Sequence, residues 1–260
     1  MYDVLVYAAS VSELSEEALF QRVYRKLPQE RQRKIDRLRM ENDKRLSLGA
    51  FLLLLSCMKK WGIQTDNVSI KYGKEGKPYV EGAEGFYFNL SHSGEYAVCA
   101  VSEKEIGCDV EKLSECRLKL AKRFFSVYEY EMLLAQETEE EKRELFYRFW
   151  TLKESFIKAV GKGLYLPLDS FSILLSDVET TCFPLPEKTG AGEFFASGQD
   201  RNIRVKFMTD VLERKEYYFK EISVSPEYKC ALCGLDKRIG ERDGVVYGKV
   251  RLSDVVKELE

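Results

Sequence analysis

Two carboxylates separated by one apolar residue, Asp109 and Glu111, lie near the middle of the chain. On a β-strand such residues face the same side, where two negative charges repel each other unless a positive charge lies between them. Mg²⁺ supplies that charge, and it usually binds one or two carboxylates together with waters and phosphate oxygens. The pair therefore predicts either a Mg²⁺ site or a solvated edge strand with scattered acids.

A third acidic residue, Glu154, lies in the segment FWTLKESFIKAVGKG, which has the pattern of a strongly apolar helix. Helical spacing puts Glu154 on the same face as Trp150 and Ile157, with Lys158 one turn further on. A carboxylate on an apolar face needs a partner. It pairs with a Lys or Arg at the edge of the core, extends into solvent, or serves as a third metal ligand.

The only histidine of the chain, His92, follows Ser91 in the polar run SHSG, ahead of the acidic pair. Its imidazole can donate to a phosphate oxygen, although a lone histidine is more often a structural hydrogen-bonding group. Lys77, between a glycine and a proline, places a positive charge on a rigid turn. The basic run RQRK at 31–34 is either a solvated helix face or an arginine clamp for phosphate. Together with the acids, these residues predict a site for a pyrophosphate and its Mg²⁺.

Helices and strands must bring these distant residues together. Apolar spacing predicts helices over residues 12–26 and 46–61. Capping-box patterns predict two more helices that begin near residues 127 and 139, and the second of them runs to Gly161. Short β-rich runs fill most of the remaining chain, and the segment LSDVVKEL predicts a helix close to residue 260.

One pattern of this kind occurs twice. The first copy consists of an apolar helix, a glycine and the letters DNVSI, and it ends at Ile70. The second copy consists of an apolar helix, a glycine and the letters DSFSI, and it ends at Ile173. The repetition suggests an α+β protein of two similar halves, each a helix packed on an antiparallel sheet, joined near residues 102–112.

The composition excludes several classes of protein. The chain of 260 residues is 45% hydrophobic, and its 41 basic residues nearly balance 43 acidic ones. There is thus no general attraction to nucleic acid or to an anionic membrane, and no apolar run approaches the ~20 residues that cross a bilayer. The seven cysteines are odd in number and the first residues carry no signal pattern, so we expect a cytoplasmic protein with reduced thiols. The lone C-x-x-C at Cys230 and Cys233 has too few ligands for a metal site and predicts a buried strand.

The segments FNLSHSGEYAVCAV, IGCDVEKL, RFFSVYEYEML and FWTLKESFIKAVGKGLYLPLDSFSI, in this order and spacing, resemble the pseudodimeric, Sfp-type 4′-phosphopantetheinyl transferases. The resemblance covers nearly the whole chain. It implies two α+β halves related by a pseudo-twofold, at residues 1–105 and 106–236, with the active site in the cleft between them and a C-terminal extension at 237–260. The implied enzyme is a monomer of the holo-acyl-carrier-protein synthase type.

The implied reaction moves the 4′-phosphopantetheine arm of coenzyme A onto a serine hydroxyl of an acyl or peptidyl carrier protein. It requires Mg²⁺ and releases adenosine 3′,5′-bisphosphate. Such enzymes serve nonribosomal peptide, polyketide and antibiotic synthesis, fatty-acid synthesis, and lysine synthesis of the aminoadipate type. Two other functions use the same residues: a Mg²⁺-dependent hydrolase of coenzyme A or nucleotide pyrophosphates, and a non-catalytic module that binds coenzyme A or the carrier.

The resemblance also implies roles for individual residues. Asp109, Glu111 and Glu154 are the implied metal ligands, and Glu129 is the implied general base beside the catalytic groups Lys158 and His92. The implied ligands of coenzyme A are Arg31, Arg33, Arg45, Lys77, Ser91, His92 and Lys158. Glu30 departs from the family pattern, because it occupies a position where a lysine usually binds the ribose 3′-phosphate, and we expect Arg31 to compensate.

The carrier protein is an acidic helical bundle in this family, so its docking surface is expected to be basic. Residues 112–125 combine lysines and arginines with Leu118 and Phe125. A basic rim around apolar anchors suits an acidic helix. An ordinary amphipathic surface helix explains the same pattern.

Overall fold

The computed structural model describes residues 4–66, 68–176, 193–194, 203–207 and 215–260. Twelve strands occur in this part of the chain: β1 (Val4–Ser10), β2 (Ile70–Tyr72), β3 (Pro78–Val80), β4 (Tyr87–Ser93), β5 (Tyr96–Ser102), β6 (Ile106–Lys112), β7 (Phe171–Leu175), β8 (Glu193–Phe194), β9 (Ile203–Phe207), β10 (Tyr218–Glu221), β11 (Tyr228–Gly234) and β12 (Val245–Lys249). The same residues form seven α-helices: α1 (Glu17–Tyr24), α2 (Gln29–Asp36), α3 (Glu41–Lys60), α4 (Leu118–Phe124), α5 (Val127–Leu134), α6 (Glu139–Val160) and α7 (Leu252–Leu259).

The strands form mostly antiparallel sheets. The order in the largest sheet is β12-β1-β5-β4, in which only the pairing of β12 with β1 is parallel. A second sheet has the order β10-β11-β6, a third β7-β9-β8, and β2 pairs with β3 as a hairpin. The protein is therefore a mixed α and β structure rich in antiparallel pairs, as the sequence predicts.

Helix α3 organises the core of the first half of the chain. Its apolar residues occur on all sides, and Leu48, Leu53 and Leu54 are fully buried. The helix packs on β1, β5 and α7. The predicted helix over residues 46–61 is confirmed and begins earlier, at Glu41.

The predicted single helix over residues 12–26 is wrong, because the backbone is extended at Glu16. One 3₁₀ turn at Ser12–Ser15 precedes the break and α1 follows it. The turn is held separately from α1, since Leu14 is 2% exposed and the Glu13 carboxylate accepts from the backbone N–H of Ser253 at 2.8 Å.

Helix α6 organises the core of the second half. Phe149, Leu152 and Phe156 are completely buried, and the helix contacts β6 and β11. Both predicted capping boxes are present, at the starts of α5 and α6. Gly161 ends α6 in the left-handed conformation at φ 77°, which glycine adopts without the strain that a side chain would add.

A third core lies where the largest sheet meets the sheet of β6 and β11. Side chains at alternate positions of β1 and β6 enter it, including Val4, Val6, Cys108 and Val110. Because strand residues alternate between faces, Asp109 and the other odd-numbered residues of β6 point the opposite way, towards α6. The alternation of β6 thus separates its apolar contacts from its acids.

The last strand and helix pack on elements from the beginning of the chain. Strand β12 pairs with β1, and Leu252, Val255 and Val256 of α7 are buried in the same core as α3. The predicted helix near residue 260 is confirmed. Strand β12 and helix α7 therefore pack with the first half of the chain.

The cysteine pattern gives no metal or redox pair among the described residues. Cys230 and Cys233 lie in β11, and their side chains enter different cores. The predicted buried strand is confirmed. Six cysteines carry free thiols, and Cys182 lies outside the described residues. No helix in the described ranges is long and apolar enough to cross a bilayer.

Candidate active site

A close approach of α6 to β6 creates the site. A Cβ atom on Gly107 would lie 2.1 Å from the carbonyl oxygen of Ser155 and 2.4 Å from the backbone nitrogen of Ala159. Only glycine fits there, because real Cβ contacts are never that short. The backbone of α6 can therefore lie directly on the strand that carries Asp109.

Asp109 forms the buried centre of this contact. It is 4% exposed, and Lys158 Nζ donates to its Oδ1 at 2.6 Å. Burial raises the pKa of Asp109 even though the nearby Lys158 ammonium opposes the shift. Burial also disfavours the charge on Lys158, but the Asp109 carboxylate outweighs this effect, and the pKa of Lys158 is raised.

The second oxygen of Asp109 has no partner. Its Oδ2 is buried and makes no hydrogen bond, although Oδ1 accepts from both Lys158 and Ser91. An unpaired buried carboxylate oxygen costs free energy unless a ligand satisfies it. This atom is therefore a vacant acceptor.

The other two acids lie close enough to feel the charge of Asp109. Burial is the largest cause of the raised pKa of Glu111, and the charge of Asp109 adds to it. The same two effects raise the pKa of Glu154, with a further contribution from Glu111. The fold thus collects three carboxyl groups that repel one another in their charged forms.

Two serines of β4 contact these acids across the junction with β6. Ser91 Oγ donates to Asp109 Oδ1 at 3.0 Å, and Ser93 Oγ donates to Glu111 Oε2 at 2.8 Å. Ser93 is not among the residues predicted from the sequence. The polar residues of FNLSHS alternate along the strand, and this alternation is the signal that could have identified it.

These groups provide the donor set that Mg²⁺ takes in proteins. The vacant Oδ2 of Asp109 and the mutual repulsion of the acids both fit a divalent cation, which usually binds one or two carboxylates. In the described part of the chain, however, no group of three His, Cys, Asp or Glu side chains is already arranged to hold a metal ion. The set of three metal ligands stays a prediction.

His92 and Lys77 lie near this cluster. His92 keeps more than a third of its surface accessible, yet the protein removes enough water from the ring to lower its pKa, and the charge of Lys158 lowers it further. Lys77 Nζ donates to the carbonyl oxygens of Ile106 and Ala159, both at 3.1 Å, and contacts the Glu105 carboxylate. The Lys77 ammonium therefore joins the β2–β3 turn to the C-terminal end of α6.

A cavity of about 490 Å³ opens beside the cluster. Its charged lining residues are Glu75, Lys77, Arg123, Glu154, Lys158 and Asp169. Its apolar lining includes Phe124, Ile157, Leu166, Pro167 and Leu168. The cavity can therefore hold an extended molecule that has both charged and apolar parts.

The basic residues of α2 line a separate cavity of about 400 Å³, together with Glu30, Phe51 and Tyr72. Arg31 turns inwards, where it donates to Ser47 Oγ at 2.9 Å and lies over the Phe51 ring. Arg33 is exposed at the rim. Arg45 of α3 donates to Ser15 Oγ at 2.6 Å and is not among the residues that line this cavity.

Glu129 is buried and is not among the residues that line the cavity beside the acidic cluster. It is 0% exposed, and Lys153 Nζ donates to both of its oxygens at 2.7 Å. It also accepts from the backbone nitrogens of Ser126 at 2.8 Å and Ile173 at 2.7 Å. Both oxygens are therefore occupied within the core, and the role of general base does not fit this position.

Two protein-family profiles match the chain, one after the other. Residues 15–104 match the family described as "4′-phosphopantetheinyl transferase, N-terminal". Residues 105–233 match the "4′-phosphopantetheinyl transferase superfamily". The two matches meet between residues 104 and 105, immediately before β6.

Individual relatives carry the same description. The chain is 34% identical over 193 residues to 4′-phosphopantetheinyl transferase Sfp of Bacillus subtilis, which covers 74% of this chain and 75% of that protein. It is 42% identical over 147 residues to another Bacillus subtilis protein of the same description, across 56% of this chain and 65% of the relative. A Xenopus laevis L-aminoadipate-semialdehyde dehydrogenase-phosphopantetheinyl transferase is 26% identical over 244 residues, across 88% of this chain and 73% of the relative.

Proposed function

The chain belongs to the 4′-phosphopantetheinyl transferase family, and on this premise we propose that it moves the phosphopantetheine arm of coenzyme A onto a serine of a carrier protein. The observation that carries the proposal is the vacant, buried Oδ2 of Asp109 beside Lys158 and the 490 Å³ cavity. A pyrophosphate needs positive charge at one end of such a site and room for an arm at the other. No comparison favours the alternative hydrolase.

Asp109, Glu111 and Glu154 are the residues that would hold Mg²⁺. When bound, this ion offsets the charge of the pyrophosphate oxygens. The donor set supports this assignment, because the raised pKa of each acid reports burial and repulsion that a cation would relieve. Losing one of these carboxylates is expected to slow transfer by about 10²- to 10³-fold, the usual effect of removing a charge-stabilising group.

Lys158 supplies the fixed positive charge at the reacting phosphate. Its ammonium lines the cavity and stays protonated at neutral pH, because the Asp109 carboxylate raises its pKa. His92 approaches the same phosphate as a neutral imidazole, since its pKa is lowered. A neutral imidazole donates through one nitrogen without adding charge.

The serine of the carrier must lose its proton as it attacks the phosphate. Glu154 lines the cavity and Glu129 does not. Because Glu154 is already proposed as a ligand of Mg²⁺, neither glutamate is assigned as the base.

The remaining predicted ligands of coenzyme A fall into two groups. Arg31 and Arg33 line the basic cavity at α2 and would bind the 3′-phosphate, whereas Arg45 on α3 would contact the adenine nucleotide. Ser91 and Lys77 lie at the acidic cluster and at its neighbouring cavity. Glu30 also lines the basic cavity, so the inward-turned Arg31 is the residue that would compensate for its charge.

The two halves are proposed as residues 1–105 and 106–236, related by a pseudo-twofold with the active site in the cleft between them. The contact of β4 with β6 supports this arrangement, because one strand brings the serines and the other brings the acids. The meeting point of the two family matches also supports it. Residues 237–260 form the proposed extension.

The carrier protein is proposed to dock along residues 112–125. Helix α4 carries Lys119, Lys122 and Arg123, and its last residues Arg123 and Phe124 line the cavity beside Glu154. A basic helix that ends at the cavity would guide an acidic carrier so that its serine reaches the phosphate. We expect a monomeric, cytoplasmic enzyme of the holo-acyl-carrier-protein synthase type that accepts acyl or peptidyl carriers.

Mass spectrometry of carrier proteins tests the proposal. A panel of acyl and peptidyl carriers is incubated with the protein and coenzyme A, with Mg²⁺ or with a chelator. Transfer predicts the gain of one phosphopantetheine arm only with Mg²⁺, and no gain on a carrier whose serine is replaced by alanine. Release of free phosphopantetheine with unmodified carriers would establish the hydrolase instead. An unmodified panel together with intact coenzyme A would establish a binding module.

A further inference from the structure

We propose that Ser93 is a positioning residue that fixes the orientation of Glu111, and that Ser91 does the same for Asp109, so that each acid keeps one oxygen free for a divalent cation. This inference rests on the proposed function for the identity of the cation. Neither serine needs to touch the substrate in this role. The family resemblance implies a role for Ser91 as a ligand of coenzyme A and implies none for Ser93.

The direction of each hydrogen bond at Ser93 is determined by its neighbours. The backbone N–H of Lys112 donates to Ser93 Oγ at 3.1 Å. A hydroxyl has a single proton, and with an N–H already donating to its oxygen that proton is free to point at Glu111 Oε2, 2.8 Å away. The serine therefore connects the backbone of β6 to the carboxylate that β6 carries.

Ser91 repeats the arrangement two residues earlier. The backbone N–H of Val110 and the ammonium of Lys158 both donate to Ser91 Oγ at 3.2 Å, so the hydroxyl proton goes to Asp109 Oδ1 at 3.0 Å. One oxygen of Asp109 is thus fixed, and the other is the vacant Oδ2. The same division leaves Oε1 of Glu111 free of its serine.

Asn89 makes a third contact of the same series without an acid. Its Oδ1 accepts from the backbone N–H of Cys108 at 3.0 Å, and the position that corresponds to the two acids is Gly107. Asn89 therefore only aligns β4 with β6, whereas Ser91 and Ser93 align the strands and also donate to a carboxylate.

Removing a hydrogen bond that orients a metal-binding side chain commonly lowers metal affinity or activity by about 10- to 100-fold. Without the Ser93 hydroxyl, Glu111 would rotate freely between several rotamers, and binding the cation would have to select one of them. The loss should therefore appear in cation affinity. The rate at saturating cation should change much less.

The test compares Ser93→Ala, Ser93→Thr and the unchanged protein. Electron paramagnetic resonance of free Mn²⁺ measures the affinity for Mn²⁺ alone and with coenzyme A present, and the mass-shift assay measures transfer as a function of Mg²⁺ concentration. We expect Ser93→Ala to bind Mn²⁺ about 10-fold more weakly and to need about 10-fold more Mg²⁺ for half-maximal transfer. Ser93→Thr keeps a hydroxyl and should restore most of the affinity.

Ser102→Ala is the matched control. Ser102 Oγ also accepts a backbone N–H, from Lys104 at 3.2 Å, and also contacts a carboxylate, Asp236 Oδ2 at 3.4 Å, but outside the acidic cluster. The Mn²⁺ affinity of the Ser102→Ala variant should equal that of the unchanged protein, even if its midpoint of thermal unfolding falls.

Two results would overturn the inference: equal Mn²⁺ affinity of Ser93→Ala and the unchanged protein, or no Mn²⁺ binding by the unchanged protein. The failure of the proposed function is a separate result, because it would appear as the absence of an arm on every carrier while Mn²⁺ binding still decides the role of Ser93.

Discussion

Glu129→Gln replaces one oxygen of a fully buried carboxylate by an amide group of almost the same shape. The unchanged carboxylate accepts two hydrogen bonds from Lys153 and two from backbone nitrogens. The substitution removes the carboxylate charge that faces the Lys153 ammonium. Lys153 is also 0% exposed, so water cannot replace that charge. The same substitution would remove the proton acceptor if Glu129 were the general base.

The expected loss follows from the geometry of the pair. Removing one partner of a buried ion pair typically costs about 3–5 kcal/mol. In a protein of this size each 1 kcal/mol lowers the midpoint of thermal unfolding by about 2–4 °C, so the midpoint should fall by about 6–20 °C. Burial already lowers the pKa of Lys153 despite Glu129, so the variant should lose part of the lysine charge instead of keeping it unpaired.

Two measurements separate the structural role from the chemical one. Circular dichroism gives the unfolding midpoint, and the mass-shift assay well below that midpoint gives the rate of transfer per folded molecule. We expect a large drop in the midpoint and a rate within a few-fold of the unchanged enzyme. The double variant Glu129→Gln with Lys153→Met should recover part of the stability, since no unpaired charge remains. An unchanged midpoint with a rate lowered 10²-fold or more would refute this reasoning and restore Glu129 as the base.

Four further predictions concern the acidic cluster and the contact of α6 with β6 that supports it. Glu154→Gln should slow transfer by about 10²- to 10³-fold in the mass-shift assay. The same substitution should raise the thermal unfolding midpoint of the unliganded protein at neutral pH, because it removes a charge that burial and Asp109 disfavour. A lower midpoint would contradict this. The raised pKa of the three acids means that the folded protein binds more protons than the unfolded chain, so stability without metal should fall as the pH rises through the range between the ordinary and the raised pKa. As the pH falls through that same range, the Mg²⁺ concentration for half-maximal transfer should rise, and a constant value would contradict the assignment. Gly107→Ala should cost about 1–3 kcal/mol or more in denaturant unfolding and lower transfer, because the new methyl group would force α6 away from β6; a stable, active variant would show that the contact is not required.

Much of the architecture can be predicted from local sequence patterns. The strand β6 is predictable because Val110 and its apolar neighbours face one side and the two acids face the other. The capping boxes before α5 and α6 were readable because each is set by residues only three positions apart. The same holds for the buried strand at Cys230, where an apolar run left little choice.

Contacts between distant segments were not readable in this way. Nothing in the spacing pairs Glu129 with Lys153, because their contact depends on how α5 packs against α6. Glu129 belongs to a capping box and is also the general base that the family resemblance implies, and its burial distinguishes the two roles. The closeness of α6 to Gly107 likewise depends on packing between segments almost 50 residues apart.

The acidic cluster illustrates why a fold retains an arrangement that lowers its own stability. Asp109, Glu111 and Glu154 each have a raised pKa, which means that the folded protein stabilises their charged forms less well than water does. Among these three acids, Lys158 donates a hydrogen bond to Oδ1 of Asp109, and its charge offsets only part of the repulsion at Glu111 and Glu154. The serines that orient the acids come from β4 and the acids from β6, so the alignment of these two strands decides where the charge is concentrated. A cation that binds there would relieve the repulsion between the carboxylates. We therefore expect cation binding to be tightly coupled to the alignment of the two strands.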